Sequence, residues 1–207
     1  MSFKLETSWD DGHILDLKIA EILQKHGLSG IFYVVIDRVG KKDNLSWEDI
    51  KSLIKAGFEI GSHTVTHPQD LKLLFEEDLF FEVQTSKEML ETVLGNTITS
   101  FCYPRGRADA RVKSVVKDAG YLTARGTGRT GNISDRDKFY LPGTIHIYPR
   151  KDYGGQSIVD FAKKITNRAN RVNGYVNIFG HSWEIEKYNL WDDLVEVLKY
   201  AKYSLTD

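Results

Sequence analysis

Short runs of β-branched and aromatic residues alternate along this chain with longer segments in which apolar positions recur every three or four residues. The short runs predict strands near 2–8, 30–36, 57–62, 98–103, 120–125, 140–147 and 174–180. The intervening periodicity predicts helices near 13–26, 47–56, 70–94, 109–119, 156–170 and 189–203. Several of these end just before a glycine, as at Gly27, Gly57, Gly95 and Gly120, where a left-handed residue closes a helix at no steric cost. Ser46 and Asp49 resemble a capping box, with Asp in place of the usual Glu or Gln. Strand and helix alternate in this way along the whole chain, with no linker, low-complexity tract or fixed-period repeat. Parallel neighbours need a crossover connection and a helix is the common one, so the pattern predicts an α/β fold with a parallel sheet, closed into a barrel or left open and doubly wound. In a β/α barrel the chemistry gathers at the C-terminal ends of the strands.

Composition narrows the class. At 207 residues, 41% hydrophobic and 28% charged, the chain reads as one globular domain over residues 1–207 rather than a disordered or fibrous protein. Its 28 basic and 29 acidic residues leave a net charge of −1, which offers no field to hold a nucleic-acid backbone. The single cysteine, Cys102, excludes an intramolecular disulfide and a cysteine-built zinc cage. The longest apolar run found, Ile31 to Ile36, is far below a membrane span. MSFKLETSWDDG lacks the apolar stretch of a signal peptide, so the expected location is the cytoplasm.

Four predicted strand ends carry unusual polar residues. Strand one ends in Trp9-Asp10-Asp11-Gly12, strand three in Ser62-His63 with His67 four residues later, strand four in Tyr103-Pro104-Arg105-Gly106, and strand seven in Gly180-His181-Ser182-Trp183-Glu184. Each has an ordinary reading alone: Asp11 capping a helix, a chance histidine pair, a turn, a core histidine. Together they supply the parts of one reaction. Two imidazoles and a carboxylate suit zinc or a similar divalent ion and leave a coordination position for water. Pro68 disfavours a helical His67, so an irregular loop is expected there. Adjacent carboxylates at Asp10 and Asp11 can divide labour, one ligating the metal and its neighbour accepting a proton. A backbone N–H in the Tyr103–Gly106 turn would stabilise an oxyanion, and His181 would protonate the departing group.

These motifs resemble those of the polysaccharide deacetylases of the NodB-homology type, carbohydrate esterase family four. SWDDG at 8–12 is similar to that family's TFDDG, SHTVTH at 62–67 to its histidine motif, FCYPRG at 101–106 to its third motif, and IFGH at 178–181 to its leucine-x-x-His. The resemblance implies a distorted (β/α)7-type barrel with parallel strands, a carbohydrate substrate, and metal-dependent removal of an N- or O-acetyl group. It implies Asp10 as base, Asp11, His63 and His67 as ligands of Zn2+ (or of Co2+ or Ni2+), and His181 as acid. Tyr103, Arg105, Arg125 and Trp183 are the expected oxyanion or substrate-binding residues. Cys102 stands where many members carry an arginine that orients the base, and Arg125 at the end of strand five is the expected replacement. The family's fourth motif, an Asp-Trp element that supports the acid, has no counterpart, leaving Trp183 or Glu184 to serve. Two rival readings share the same residues: hydrolysis of another carbon–nitrogen bond, as in a cyclic amide or ureide, and a carbohydrate-binding pseudoenzyme. Gly126 to Gly131 spells a dinucleotide fingerprint, but polar NISDRDK follows it where a helix must begin, so a loop is expected. His146, near the end of strand six, either lines the pocket or packs.

Overall fold

The computed structural model describes residues 3–128 and 130–205. Seven strands form one sheet: β1 Lys4–Asp11, β2 Ile31–Val34, β3 Glu59–Ser62, β4 Ser100–Cys102, β5 Thr123–Arg125, β6 Ile145–His146 and β7 Tyr175–Gly180. Their order is β5-β4-β3-β2-β1-β7-β6 and every pairing is parallel. β2 and β7 are buried along their whole lengths, as parallel strands must be when one face is covered by helices and the other turns into the interior of a curled sheet. The helices are α1 Asp16–Lys25, α2 Trp47–Lys55, α3 Glu76–Phe80, α4 Ser86–Leu94, α5 Ala110–Asp118, α6 Ile158–Val172, α7 Ser182–Lys187 and α8 Trp191–Tyr203. At the start of α2 the Ser46 hydroxyl accepts from Asp49 N and the Asp49 carboxylate accepts from Ser46 N, completing the expected box.

The sheet curls into a half-barrel that one irregular segment closes. Leu141 bridges in parallel to Arg125 at the end of β5. Four residues on, β6 pairs with β7 through Ile145–Ile178 and His146–Phe179. Close approaches substitute for a ladder across this seam: a Cβ on Gly126 would fall 2.5 Å from the Tyr140 ring, and one on Gly143 would fall 2.5 Å from the Phe179 ring. The architecture is therefore the distorted, parallel, seven-stranded barrel that the motifs implied.

Three local expectations need correction. The strand expected over 140–147 shrinks to Ile145–His146, because Leu141 and Ile145 pair with opposite edges of the gap. The helix expected over 70–94 begins only at Glu76, after a 3-10 turn at Leu71–Leu73, and widens to a π turn over Phe81–Thr85. β1 runs to Asp11, so both aspartates are strand residues rather than a turn after one. The segment 126–131 opens no helix, and the next helix begins at Ile158. Within that segment Arg129 lies outside the described residues, as does Ser2 of the first expected strand.

Candidate functional site

Because the strands are parallel, their C-terminal ends share one rim, and a cavity of about 440 Å³ opens there. Asp10, Asp11, His63, His67, Tyr103, Arg105, His181 and Trp183 all line it. The registers fix the side chains' neighbours: Asp11 pairs with Val34 of β2, and Trp9 with Gly180 of β7, one residue before His181.

Asp11, His63 and His67 present ligand atoms within 4.8 Å of one another. Asp11 Oδ1 lies 3.7 Å from His67 Nε2 and 4.0 Å from His63 Nε2. His63 Nδ1 donates to the Cys102 carbonyl at 2.8 Å, which turns the Nε2 lone pair toward the carboxylate. Burial depresses both imidazoles, His63 to about 4, and so favours the neutral form that a metal requires. Asp11 is also buried, but His63, His181 and Arg38 outweigh the desolvation and hold its carboxyl below the usual range. Its Oδ1 is buried and receives no hydrogen bond. Arg38 Nη1 stands 2.8 Å away as an ion pair without hydrogen-bond alignment. A buried anionic oxygen facing two neutral imidazole nitrogens fits a divalent cation.

The loop that delivers His67 is held in an unusual shape. Thr64 and His67 have φ of 71° and 60°, in the left-handed region that side chains disfavour. Glu82, in the π turn, clamps this loop. One carboxylate oxygen accepts from the N–H groups of Val65 and Thr66, each at 2.9 Å, and the other accepts from the Thr66 hydroxyl. Strain of this kind persists only where surroundings enforce it, and π turns recur beside functional sites.

Asp10 faces Arg125, which is only 1% exposed and donates from Nη2 to Asp10 Oδ1. Cys102, in the adjacent strand, lies 3.0 Å from the same guanidinium nitrogen. Burial alone would favour the neutral acid, but Arg125, His63 and His181 reverse that and keep Asp10 well below the ordinary carboxylate range. Its Oδ2 stands 4.0 Å from His181 Nε2. The His181 Nδ1 is 2.6 Å from Glu184 Oε2. Desolvation opposes the His181 charge, yet Glu184, Asp10 and Asp11 together raise it to about 9. Glu184 itself is pulled down to about 2, because the His146 and His181 rings overcome its burial. His146 Nε2 lies 3.3 Å from the same Oε2, with its ring stacked 4.5 Å from that of Phe179.

The remaining residues divide. Trp183, 37% exposed, donates its indole N–H to Asp11 Oδ2 at 3.2 Å. The Tyr103 hydroxyl turns away to Phe139 O, and its N–H pairs with Arg125 O. Gly106 N–H donates to Tyr103 O and Pro104 has no N–H, which leaves Arg105 N–H as the turn's remaining donor. Arg125 lies beneath Asp10 and does not line the cavity. Arg38 and Glu82 escaped the sequence reading. Arg38 follows the end of β2 and obeys the same rim rule as the other motifs, whereas nothing in the pattern around Glu82 distinguishes it from a solvated helix residue.

The family model of the polysaccharide deacetylases matches residues 4–124. Chitin deacetylase 1 of Cryptococcus neoformans is 24% identical over 173 residues, covering 83% of this chain and 35% of that protein. The chain spans half or less of the length of the curated relatives it matches. Among solved structures, a family 4 carbohydrate esterase from Streptomyces lividans, in complex with acetate, superposes with a TM-score of 0.65 at 16% identity, covering 99% of this chain and 88% of that one. A family pseudoenzyme from Bacillus anthracis gives 0.65 at 17% identity, with 99% and 61% covered. At such identities the two structures speak for the fold alone.

Proposed function

Because this chain belongs to the polysaccharide deacetylase family, we propose that it is a divalent-metal-dependent hydrolase that removes an acetyl group from an N- or O-acetylated sugar. The observation that carries the reading is the convergence of a three-residue ligand set and an oppositely charged pair, Asp10 and His181, on one cavity. Asp11, His63 and His67 would hold the ion, most plainly Zn2+, with Co2+ or Ni2+ able to use the same donors. Bound there, it would lower the pKa of a water and polarise the acetyl carbonyl.

The chain's own groups then have distinct tasks. Asp10 takes the water's proton at Oδ2, since Arg125 occupies Oδ1. Arg105 N–H faces the developing oxyanion. His181 delivers a proton from Nε2 to the departing amine or alcohol, because Nδ1 is engaged by Glu184 and the ring stays charged at neutral pH. Glu184 thus takes the supporting part of the absent fourth motif, and Trp183 holds the free oxygen of Asp11 in place.

Purified protein given zinc, cobalt or nickel should release acetate from N-acetylated chito-oligosaccharides or another acetylated sugar, and EDTA should stop it. Release of ammonia or a ring-opened acid from a cyclic amide or ureide, with no acetate from any sugar, would favour the rival hydrolase. Sugar binding without turnover under every metal would favour a pseudoenzyme. No helix among the described residues is long and apolar enough to cross a membrane. A cytoplasmic location remains part of this proposal, tested by cell fractionation.

A further inference from the structure

On the β6–β7 side of the cavity, three groups outside the set of Asp11, His63 and His67 also bring ligand atoms together. His146, His181 and Glu184 each present one within 4.8 Å of the other two. Glu184 Oε2 is the shared corner, 2.6 Å from His181 Nδ1 and 3.3 Å from His146 Nε2. Donors around a tetrahedral zinc, each ~2.0–2.2 Å from it, stand about 3.4 Å apart. The His146–Glu184 spacing already suits an ion, and the His181–Glu184 pair has only to open slightly.

His146 is the residue that the proton path leaves without a task. It is 7% exposed, and its Nε2 is buried with no hydrogen-bond partner, because the Glu184 oxygen is close but not aligned to accept. Burying such a nitrogen unpaired costs free energy. The ring is nonetheless fixed. It stacks on Phe179 at 4.5 Å and on Tyr148 at 5.5 Å, while the Tyr153 hydroxyl accepts from the His146 N–H and donates to its carbonyl. Arg150 Nη1 stands 3.4 Å from His146 Nδ1, and the same guanidinium is already engaged by Asp152. An imidazole nitrogen held toward a carboxylate and a second imidazole, and satisfied by neither, suits a cation. Imidazole and carboxylate donors in this number favour zinc, cobalt or nickel over magnesium or calcium.

We infer that His146, His181 and Glu184 form a second divalent-cation site, weaker than the first, which zinc fills at elevated concentration. It is weaker because the cation must displace the hydrogen that lies between His181 Nδ1 and Glu184, whereas His63 already keeps its Nε2 lone pair free. The consequence for catalysis rests on the deacetylase reading above. The cation takes the lone pair of His181 Nδ1, the displaced proton leaves to water, and the ring is left neutral, holding its Nε2 hydrogen too firmly to give it to a departing group. Filling the second site therefore switches the proposed acid off.

Zinc alone is the probe. Metal-free protein is equilibrated against buffered free zinc and the bound metal counted by elemental analysis. The wild type should take up one equivalent at low free zinc and a second only at higher free zinc, and dialysis should strip the second first. His146→Gln should keep the first equivalent and weaken the second by at least about tenfold, since even an outer support of a metal ligand is worth about 10–100-fold. Saturation at one equivalent overturns the inference, as does a second equivalent that His146→Gln binds equally well. Crystals of the wild type in excess zinc decide the matter without a variant: anomalous scattering should place an ion in contact with His146, His181 and Glu184, and a map with none there overturns the site.

Acetate release separates the site from the deacetylase reading. With N-acetylated chito-oligosaccharides it should fall as the second equivalent binds, and in His146→Gln the fall should move to zinc at least about tenfold higher. Undiminished release with both equivalents bound overturns the effect on the acid and leaves the deacetylase reading intact. Should no sugar yield acetate, the deacetylase reading fails and takes that effect with it, while the zinc count and the anomalous map still decide the site.

Discussion

The wall of the cavity that carries His63 and His67 is held in shape by its backbone, whereas the wall that carries Asp10 and His181 is held by charge. On the first, a loop with two left-handed residues is fastened through its N–H groups to the Glu82 carboxylate, and His63 is aimed by a main-chain carbonyl. On the second, Asp10 leans on Arg125 and His181 on Glu184, each pair partly or wholly out of water. The difference follows from the tasks proposed for the two walls. Metal ligands must converge on a point and stay neutral or anionic, which geometry and burial secure. Proton-transfer groups must hold opposite charges side by side at neutral pH, which needs a counter-charge behind each.

The largest expected effect breaks the first wall at its anionic corner. Asp11→Asn removes the only carboxylate of the ligand set, and retained zinc by elemental analysis should fall to background while kcat/KM drops about a thousandfold, several kcal/mol of lost charge stabilisation. Retention of stoichiometric zinc by this variant would move the metal centre elsewhere.

Arg125→Met strikes the second wall. It leaves Asp10 buried without its counter-charge, at a cost of about 3–5 kcal/mol, so the Tm should fall by roughly 10 °C. With the guanidinium gone, desolvation dominates Asp10 and its pKa rises. The acid limb of the pH–rate profile should therefore move toward neutral pH, which a merely destabilising change would not do.

Glu82→Gln loosens the loop without touching a ligand. An amide cannot accept three hydrogen bonds on the two sides used here, and zinc affinity measured by chelator competition should weaken by about tenfold or more, as for other outer supports of metal ligands. An unchanged affinity would show that the left-handed loop needs no clamp.

The smallest change sharpens the comparison instead of breaking it. In metal-free protein the His181 resonance should titrate near pH 9, well above the ordinary 6.5. Glu184→Gln removes the largest of the influences that raise it, leaving burial to push the other way, so the midpoint should drop. Since a raised histidine pKa gives stability that is complete below pH 6.5 and lost as pH rises through about 9, the wild type's extra stability over this variant should fade across that window.

The alternation of strand and helix, and the polar residues at strand ends, were legible because a parallel barrel forces every strand end onto one rim. Asp10, Asp11, His63 and His181 all announce themselves by following an apolar run. Arg125 was legible for the same reason, as a lone guanidinium closing a short strand. The seam over 138–147 was not. Its residues have strand-like composition, but the gap between β5 and β7 lets only two of them pair as a strand. Glu82 was hidden more deeply, because it is buried in a helix–loop contact and nothing in the helical periodicity marks this carboxylate as turned inward.

The pairing of β1 with β7 through Lys4–Tyr175 to Trp9–Gly180 has a consequence in time. It joins segments so distant in the chain that the hydrogen bond from Trp183 to Asp11 spans 172 residues. While a nascent chain is still emerging from the ribosome, Asp10, Asp11 and both histidines of the loop are available, but His181, the proposed acid, is not. Such long-range closure is the slow kind. On the proposed mechanism, a partly synthesised molecule could capture an ion early, yet it would stay chemically silent until its last strand had docked.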